Sequence, residues 1–180
     1  MSNVGTVQAL TLGADILTGG AGNDTFNAGT SGTWSAFDKI DGGAGNDTLT
    51  VLTSATSAPG AVTLTNVENL NINATGAGYT LNASGFTGLT ALNLTSATAG
   101  AIDVTAAATS SVLIAATGAS DIDVAGGKGD LSITTGAGTV QVGATAVANA
   151  FTSATVTGGT TVEIHDNATT ATDDGTTLKT

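Results

Sequence analysis

The chain has no cysteine and no arginine, and it holds one proline, one histidine, one tryptophan and one tyrosine among its 180 residues. Without cysteine there is no disulfide, no thiolate zinc site and no thiol nucleophile. The only basic residues are Lys39, Lys128 and Lys179, set against 14 acids for a formal net charge of -11. Such a chain repels a nucleic-acid backbone, whose binding rests on Lys and Arg contacts to phosphate. Phosphoryl transfer is excluded on similar grounds, since no Arg clamp is available and no Gly-rich loop leads into Lys-Ser or Lys-Thr. No run approaches the ~18–20 consecutive apolar residues of a membrane-spanning helix, so no transmembrane segment is expected. Met1-Ser2-Asn3 opens neither a basic nor an apolar leader region, which implies a fragment or export without a cleaved leader. Aromatics are 3% of the chain, so its 41% of apolar residues, mostly Ala, Val, Leu and Ile, suit a thin core.

Glycine is abundant, at 26 residues, and part of it is periodic. Gly19-Gly20-Ala21-Gly22-Asn23-Asp24-Thr25-Phe26-Asn27 and Gly42-Gly43-Ala44-Gly45-Asn46-Asp47-Thr48-Leu49-Thr50 both fit G-G-x-G-x-D-x-U-x, with U a large apolar residue. Weaker copies precede each one. Asp15 and Leu17 take the Asp and U positions of 10–18, and Asp38 and Ile40 take those of 33–41. The two pairs are separated by an insertion, Ala28 to Gly32, expected to bulge outward. Glycines at the first, second and fourth places let the backbone take positive φ and turn carbonyls inward, the Asp adds a carboxylate, and the last three residues form a short strand. Such oxygens suit Ca²⁺, which takes about six to eight of them, more than one turn can supply. Stacked turns must then share each ion. In a roll with two turns per coil, 19–27 pairs with 42–50 and 10–18 with 33–41. The expected ligands are the carboxylates of Asp24 and Asp47 and the backbone of Gly19, Gly20, Ala21, Gly22, Gly42, Gly43, Ala44 and Gly45. Asp15 and Asp38 are the weaker partners.

Residues 10–50 resemble the RTX (repeat-in-toxin) calcium-binding nonapeptides. The resemblance implies a parallel β-roll that folds when Ca²⁺ is present, in proteins exported by type I secretion. The copies at 10–18 and 33–41 lack the first two glycines, which weakens the Asp15/Asp38 site relative to Asp24/Asp47.

Beyond residue 60, apolar-x-apolar triplets recur. They include Leu70-Asn71-Ile72, Leu92-Asn93-Leu94, Ile102-Asp103-Val104, Val112-Leu113-Ile114, Ile122-Asp123-Val124, Leu131-Ser132-Ile133, Val140-Gln141-Val142 and Val162-Glu163-Ile164. From 92 to 142 their spacing is 10, 10, 10, 9 and 9 residues. Alternation marks short half-buried strands, and the intervening Gly, Ala, Ser and Thr mark turns. The expected fold is therefore all-β, a parallel β-roll continuing into a parallel β-solenoid in which inward Val, Ile and Leu stack in columns. A β-sandwich after residue 60 is the alternative, since short strands at this spacing fit it too. The expected organisation is a calcium-binding roll over 1–50, a solenoid over 51–165 and a polar tail over 166–180. Residues 144–152 are open between solenoid and a helical excursion.

Asn66-Val67-Glu68-Asn69-Leu70-Asn71-Ile72 and Phe86-Thr87-Gly88-Leu89-Thr90-Ala91-Leu92-Asn93-Leu94 are similar to phrases of bacterial surface-layer proteins of the alphaproteobacterial type. That resemblance implies a piece of a secreted crystalline surface array, or of a related large RTX adhesin. Its partners would be copies of itself or neighbouring domains of a longer chain, and cell-surface polysaccharide.

Catalytic signals are scarce. His165 has no marked Ser partner and reads as an exposed residue at a rung end. Asp103, Asp121, Asp123 and Asp130 have only Lys128 near them, where solenoid lyases that resemble this fold need Arg or Lys beside their carboxylates, and they read as a solvated acidic face, with a degraded calcium turn at Gly126 to Asp130 as the sharper alternative. Thr48-Leu49-Thr50, Thr63-Leu64-Thr65 and Thr155-Val156-Thr157 have the Thr-x-Thr form of ice-binding faces but do not repeat on consecutive rungs. The expectation is a non-enzymatic, calcium-folded structural protein of a bacterial cell surface, with the adhesin or accessory binding module as its alternative.

Overall fold

The computed structural model describes residues 4–136, 138–143, 150–164 and 177–179. Among them every strand pair is parallel, and there is no helix. One face is a nine-stranded sheet of Val7–Ala9 (β1), Thr25–Ala28 (β3), Thr48–Thr53 (β5), Asn69–Ala74 (β7), Ala91–Ser96 (β9), Ser111–Ala116 (β11), Lys128–Thr135 (β13), Ala150–Thr157 (β15) and Thr177–Lys179 (β17). The intervening strands form the opposite face in two stacks. Ile16–Thr18 (β2), Lys39–Asp41 (β4) and Thr63–Thr65 (β6) make one. Tyr79–Asn82 (β8), Gly100–Ala106 (β10), Ala119–Gly126 (β12), Thr139–Val142 (β14) and Thr161–Ile164 (β16) make the other. Isolated bridges extend each stack by one residue, Thr65 to Thr87 beyond β6 and Ser57 to Thr80 beyond β8, where the second face shifts sideways.

This is a β-solenoid, and it overturns the sandwich alternative after residue 60, because a sandwich is built from antiparallel sheets. The near-ten spacing of the triplets is half a coil. Leu70, Leu92, Val112 and Leu131 stand directly over one another on the first face, continuing Phe26 and Leu49 below and meeting Ala154 above. Ile102, Ile122 and Val140 form the matching column on the second face, seated on Tyr79. All of these are buried, while middle residues such as Asp103 and Leu113 face out. Each buried Leu, Ile or Val contributes on the order of 1.5–3 kcal/mol, and a column shares that burial between coils that could not bury it alone.

The core runs without interruption through the whole stack. Strand β5 spans Thr48–Thr53 without a break. The insertion does project, with Gly29 to Gly32 exposed, but Ala28 is the buried last residue of β3. Ala150 to Thr152 lie in β15 rather than in a helical excursion, and Thr177–Lys179 add a strand on β15. His165, residues 144–149 and the rest of the polar tail lie outside the described residues. The Thr-x-Thr segment 48–50 stacks between Thr25-Phe26-Asn27 and Asn69-Leu70-Asn71, so its outward neighbours are not a Thr rank.

The column on the second face has a flaw at its foot. Tyr79 is 1% exposed and its hydroxyl has no hydrogen-bond partner. Burial pushes its pKa up, which keeps it neutral. An unsatisfied buried hydroxyl costs about 1–3 kcal/mol, so Tyr79→Phe is expected to raise stability by about 1 kcal/mol or more. Thermal unfolding checks this, with Tm expected to rise by roughly 2–4 °C per kcal/mol in a chain of this size.

Candidate metal centre

The two glycine-rich turns stack residue on residue, 23 positions apart. A Cβ on Gly42 would lie 1.8 Å from Asn66 O, one on Gly19 would lie 2.0 Å from Gly42 O, and one on Gly45 would lie 2.5 Å from Gly22 O. No side chain fits such contacts. The expected positive φ holds at Gly43 (92°) and Gly45 (134°), but not at Gly19, Gly20, Gly22 or Gly42. In the earlier copy Gly19 is needed less for its backbone angle than because Gly42 of the next coil lies directly on it, whereas a Cβ on Gly20 would meet only Asp24 Oδ2, at 3.9 Å. Nor are all the carbonyls free to turn inward, since Gly20 O accepts a 2.9 Å hydrogen bond from the Ala44 N–H of the next coil.

At the corner preceding the first face, one acid occupies each of three successive coils. Asp24 stands over Thr6, Asp47 over Asp24, and Glu68 over Asp47, as the flanking strand registers require. Each acid accepts the backbone N–H of the residue below it. Asp24 Oδ1 takes Thr6 N at 2.6 Å, Asp47 Oδ1 takes Asp24 N at 2.6 Å, and Glu68 Oε2 takes Asp47 N at 2.7 Å. Among the described residues no three acids converge on one point. The carboxylates are spread one per coil, so further donors must come from backbone oxygens.

The two aspartates of this column differ. Asp24 also receives the Thr6 hydroxyl on Oδ1 and the Gly20 N–H on Oδ2. Those bonds, Gly20 first, lower its pKa from 3.8. Asp47 is 0% exposed, and its Oδ2 has no partner. Burial raises its pKa from 3.8, and the charges of Glu68, Asp24 and Asp41 add to that, against the Asp24 N–H bond. The other buried side-chain polar atoms without partners among the described residues are Trp34 Nε1 and Tyr79 OH, neither of them charged. An ionised oxygen held this way is costly unless a cation meets it.

The place it faces is rich in oxygen. The Cβ that Gly42 lacks would meet both Asp47 Oδ2, at 2.5 Å, and Asn66 O. The same arrangement recurs one coil below, where the Cβ that Gly19 lacks would meet Asp24 Oδ2, at 2.5 Å, and Gly42 O. Carboxylate and carbonyl oxygens brought together where a side chain is missing are the donor set of a hard cation such as Ca²⁺. Asp24 and the Gly42 carbonyl would hold it in the lower coil, with the Asp47 charge beside them. Ala21, Gly22, Ala44 and Gly45 line the tip of the turns, and Ala21, Ala44 and Gly45 are exposed there.

Asp15 and Asp38 are also brought together, at the corner preceding the second face. Asp38 is 0% exposed, and Asp38 Oδ1 accepts Asp15 N at 2.9 Å. Ser35 occupies the rest of this carboxylate, its N–H on Oδ2 and its hydroxyl on Oδ1, and Thr11 satisfies Asp15 through its N–H and hydroxyl. The missing glycines are thus matched by serine and threonine donors that meet the carboxylates themselves. Sequence reading did not select Glu68. Its signal was its place in the acid column, hidden because it follows Asp47 by 21 residues where Asp47 follows Asp24 by 23. Asp103 and Asp123 face each other across β10 and β12, where burial and then the Asp103 and Asp121 charges raise the Asp123 pKa. Asp130 lies exposed on β13 and accepts the Ser153 hydroxyl.

Comparison with known protein families places this geometry. The family model for the RTX calcium-binding nonapeptide repeat (4 copies) matches residues 11–31 and 35–51. No curated protein matches the chain. The matched stretches contain Asp15, Asp24, Asp38 and Asp47 and end before Glu68. The RTX repeat binds Ca²⁺ and is a structural rather than a catalytic motif, typical of secreted proteins.

Proposed function

We propose that this chain is a calcium-stabilised structural segment of a secreted bacterial surface protein, exported by type I secretion, that assembles with copies of itself into a surface layer. The observation that supports it most is the Asp24–Asp47 column, set in the stacking axis and not in a cleft. A cation held there neutralises facing carboxylates and joins coil to coil. Without it, a buried charge at Asp47 and the chain entropy of the Gly-rich turns oppose ordering. Where free Ca²⁺ is scarce the segment stays extended and exportable, and at extracellular millimolar Ca²⁺ it orders, in keeping with affinities of about 10⁻⁴–10⁻³ M for extracellular modules. The ordered coils then template the solenoid, whose open ends and acidic faces pair through further calcium.

A second reading, a binding module of a large adhesin, is favoured by one feature. Where the second face shifts sideways, an open groove of about 530 Å³ is lined by Ser57, Pro59, Thr80, Asn82, Ser84 and Phe86. Hydroxyl, amide and aromatic groups together are the chemistry that receives a polysaccharide.

Calcium titration followed by far-ultraviolet circular dichroism and light scattering separates these readings, with magnesium and chelator as controls. The surface-layer reading expects a calcium-specific rise in β structure with growth of large ordered particles. Ordering into a stable monomer transfers the assignment to the adhesin module. A spectrum indifferent to calcium sinks both.

A further inference from the structure

The matched repeats stop at residue 51, yet the acid column continues for one more coil. There the six-residue turn Gly42 to Asp47 is replaced by the shorter Asn66-Val67-Glu68. Asn66 stands over Gly42 and takes a left-handed conformation, φ 51°, which Asn tolerates better than most residues. Its side chain is tied to Asp41 Oδ1 by a 2.9 Å hydrogen bond, and its N–H to Thr87 O. So anchored, Asn66 holds its carbonyl beside Asp47 Oδ2, both oxygens lying against the bare Gly42 Cα. Glu68, with one more methylene than Asp, spans the shortened turn and brings its carboxylate to Asp47 N.

We propose that Asp47, the Asn66 carbonyl and Glu68 form a further divalent-cation seat, one coil beyond the nonapeptide repeats, taking a hard cation of the calcium class. It rests on the calcium-binding reading of the column and extends it to a residue outside the matched segment. Asp47 supplies the buried oxygen without a partner, Asn66 a carbonyl pinned in place, and Glu68 the second negative charge. The seat ends the column, because the next residue in line is Thr90, whose N–H and hydroxyl are both turned onto Glu68 O.

The test is a count of calcium bound by the whole chain, by equilibrium dialysis and calorimetry, for wild type and Glu68→Gln. Glutamine keeps an oxygen for the Asp47 N–H while removing the charge. The expected result is one ion fewer per chain with wild-type β content at saturating calcium. An unchanged count and affinity would overturn the seat and leave Glu68 as a hydrogen-bond acceptor. If Glu68→Gln loses β content, the calcium dependence of that loss decides: wild-type content regained at higher calcium supports the cation, whereas a deficit equally large in calcium and in chelator overturns it. Failure of the wild type itself to bind calcium rejects the function proposed above, a result distinct from either outcome at Glu68.

Discussion

Gly42→Ala is expected to prevent calcium-induced ordering at millimolar calcium. The new methyl group would lie 1.8 Å from Asn66 O and 2.5 Å from Asp47 Oδ2, one a backbone atom locked in the next coil and the other an oxygen of the metal centre. Overpacking in a core typically costs about 1–3 kcal/mol, but there the neighbours are side chains that can move. Here the coils must separate, and each coil depends on its neighbour for burial, so the expected cost exceeds ~3 kcal/mol against a total stability of about 5–15 kcal/mol. The control is Gly60→Ala, where nothing lies within 4 Å of the added methyl, expected to stay within about 0.5 kcal/mol of wild type. Circular dichroism across a calcium titration reads both. Wild-type ordering in Gly42→Ala would show that the coils do not stack in this register.

Asp47→Asn is expected to act in opposite directions with and without calcium. The amide can keep Oδ1 on the Asp24 N–H and place its NH₂ where Oδ2 now faces Asn66 O, turning a repulsive pair of oxygens into donor and acceptor. Without metal the variant is therefore more ordered than wild type at neutral pH. The pH dependence follows in sign. The raised pKa of Asp47 contributes stability that is present below 3.8 and lost as pH rises through its folded-state value. Asp24, lowered, contributes stability present above 3.8 and lost as pH falls through its folded-state value. Removing the Asp47 titration should make the metal-free variant gain on wild type as pH rises, with the two converging in acid. With calcium the order reverses, since the variant lacks a charged ligand, and the calcium midpoint is expected to rise at least ~10-fold, about 1.4 kcal/mol. Thermal melts in chelator and in calcium measure both arms. A metal-free variant less stable than wild type at neutral pH would mean that the unpartnered oxygen carries no penalty.

Much of this architecture was legible in the residues. Two intact nonapeptides 23 residues apart, each ending in a strand with one large inward residue, could bury Phe26 and Leu49 together only by stacking in parallel. The alternation in Leu92-Asn93-Leu94 and its successors similarly announced half-buried strands. The choice between solenoid and sandwich did not follow from those triplets, because alternation reports which side of a strand is buried and not which strand lies beside it.

By itself, then, the sequence determined the calcium repeats, the pairing of Asp24 with Asp47 and of Asp15 with Asp38, and the inward residues of each strand. All of these are set by local spacing and backbone chemistry. Only the tertiary structure decided which residues stand over one another, because that depends on the length of each whole coil, turns and insertions included. Coil offsets of 18, 23, 21 and 22 residues bring Thr6 beneath Asp24, Asp47 above Asp24, Glu68 above Asp47 and Asn93 above Asn71, pairings that no fixed repeat length would generate. The same stacking leaves Asp24 fully bonded and Asp47 with one buried oxygen facing the next coil, although the two sit in nearly identical nonapeptides. What separates them is the coil each one meets.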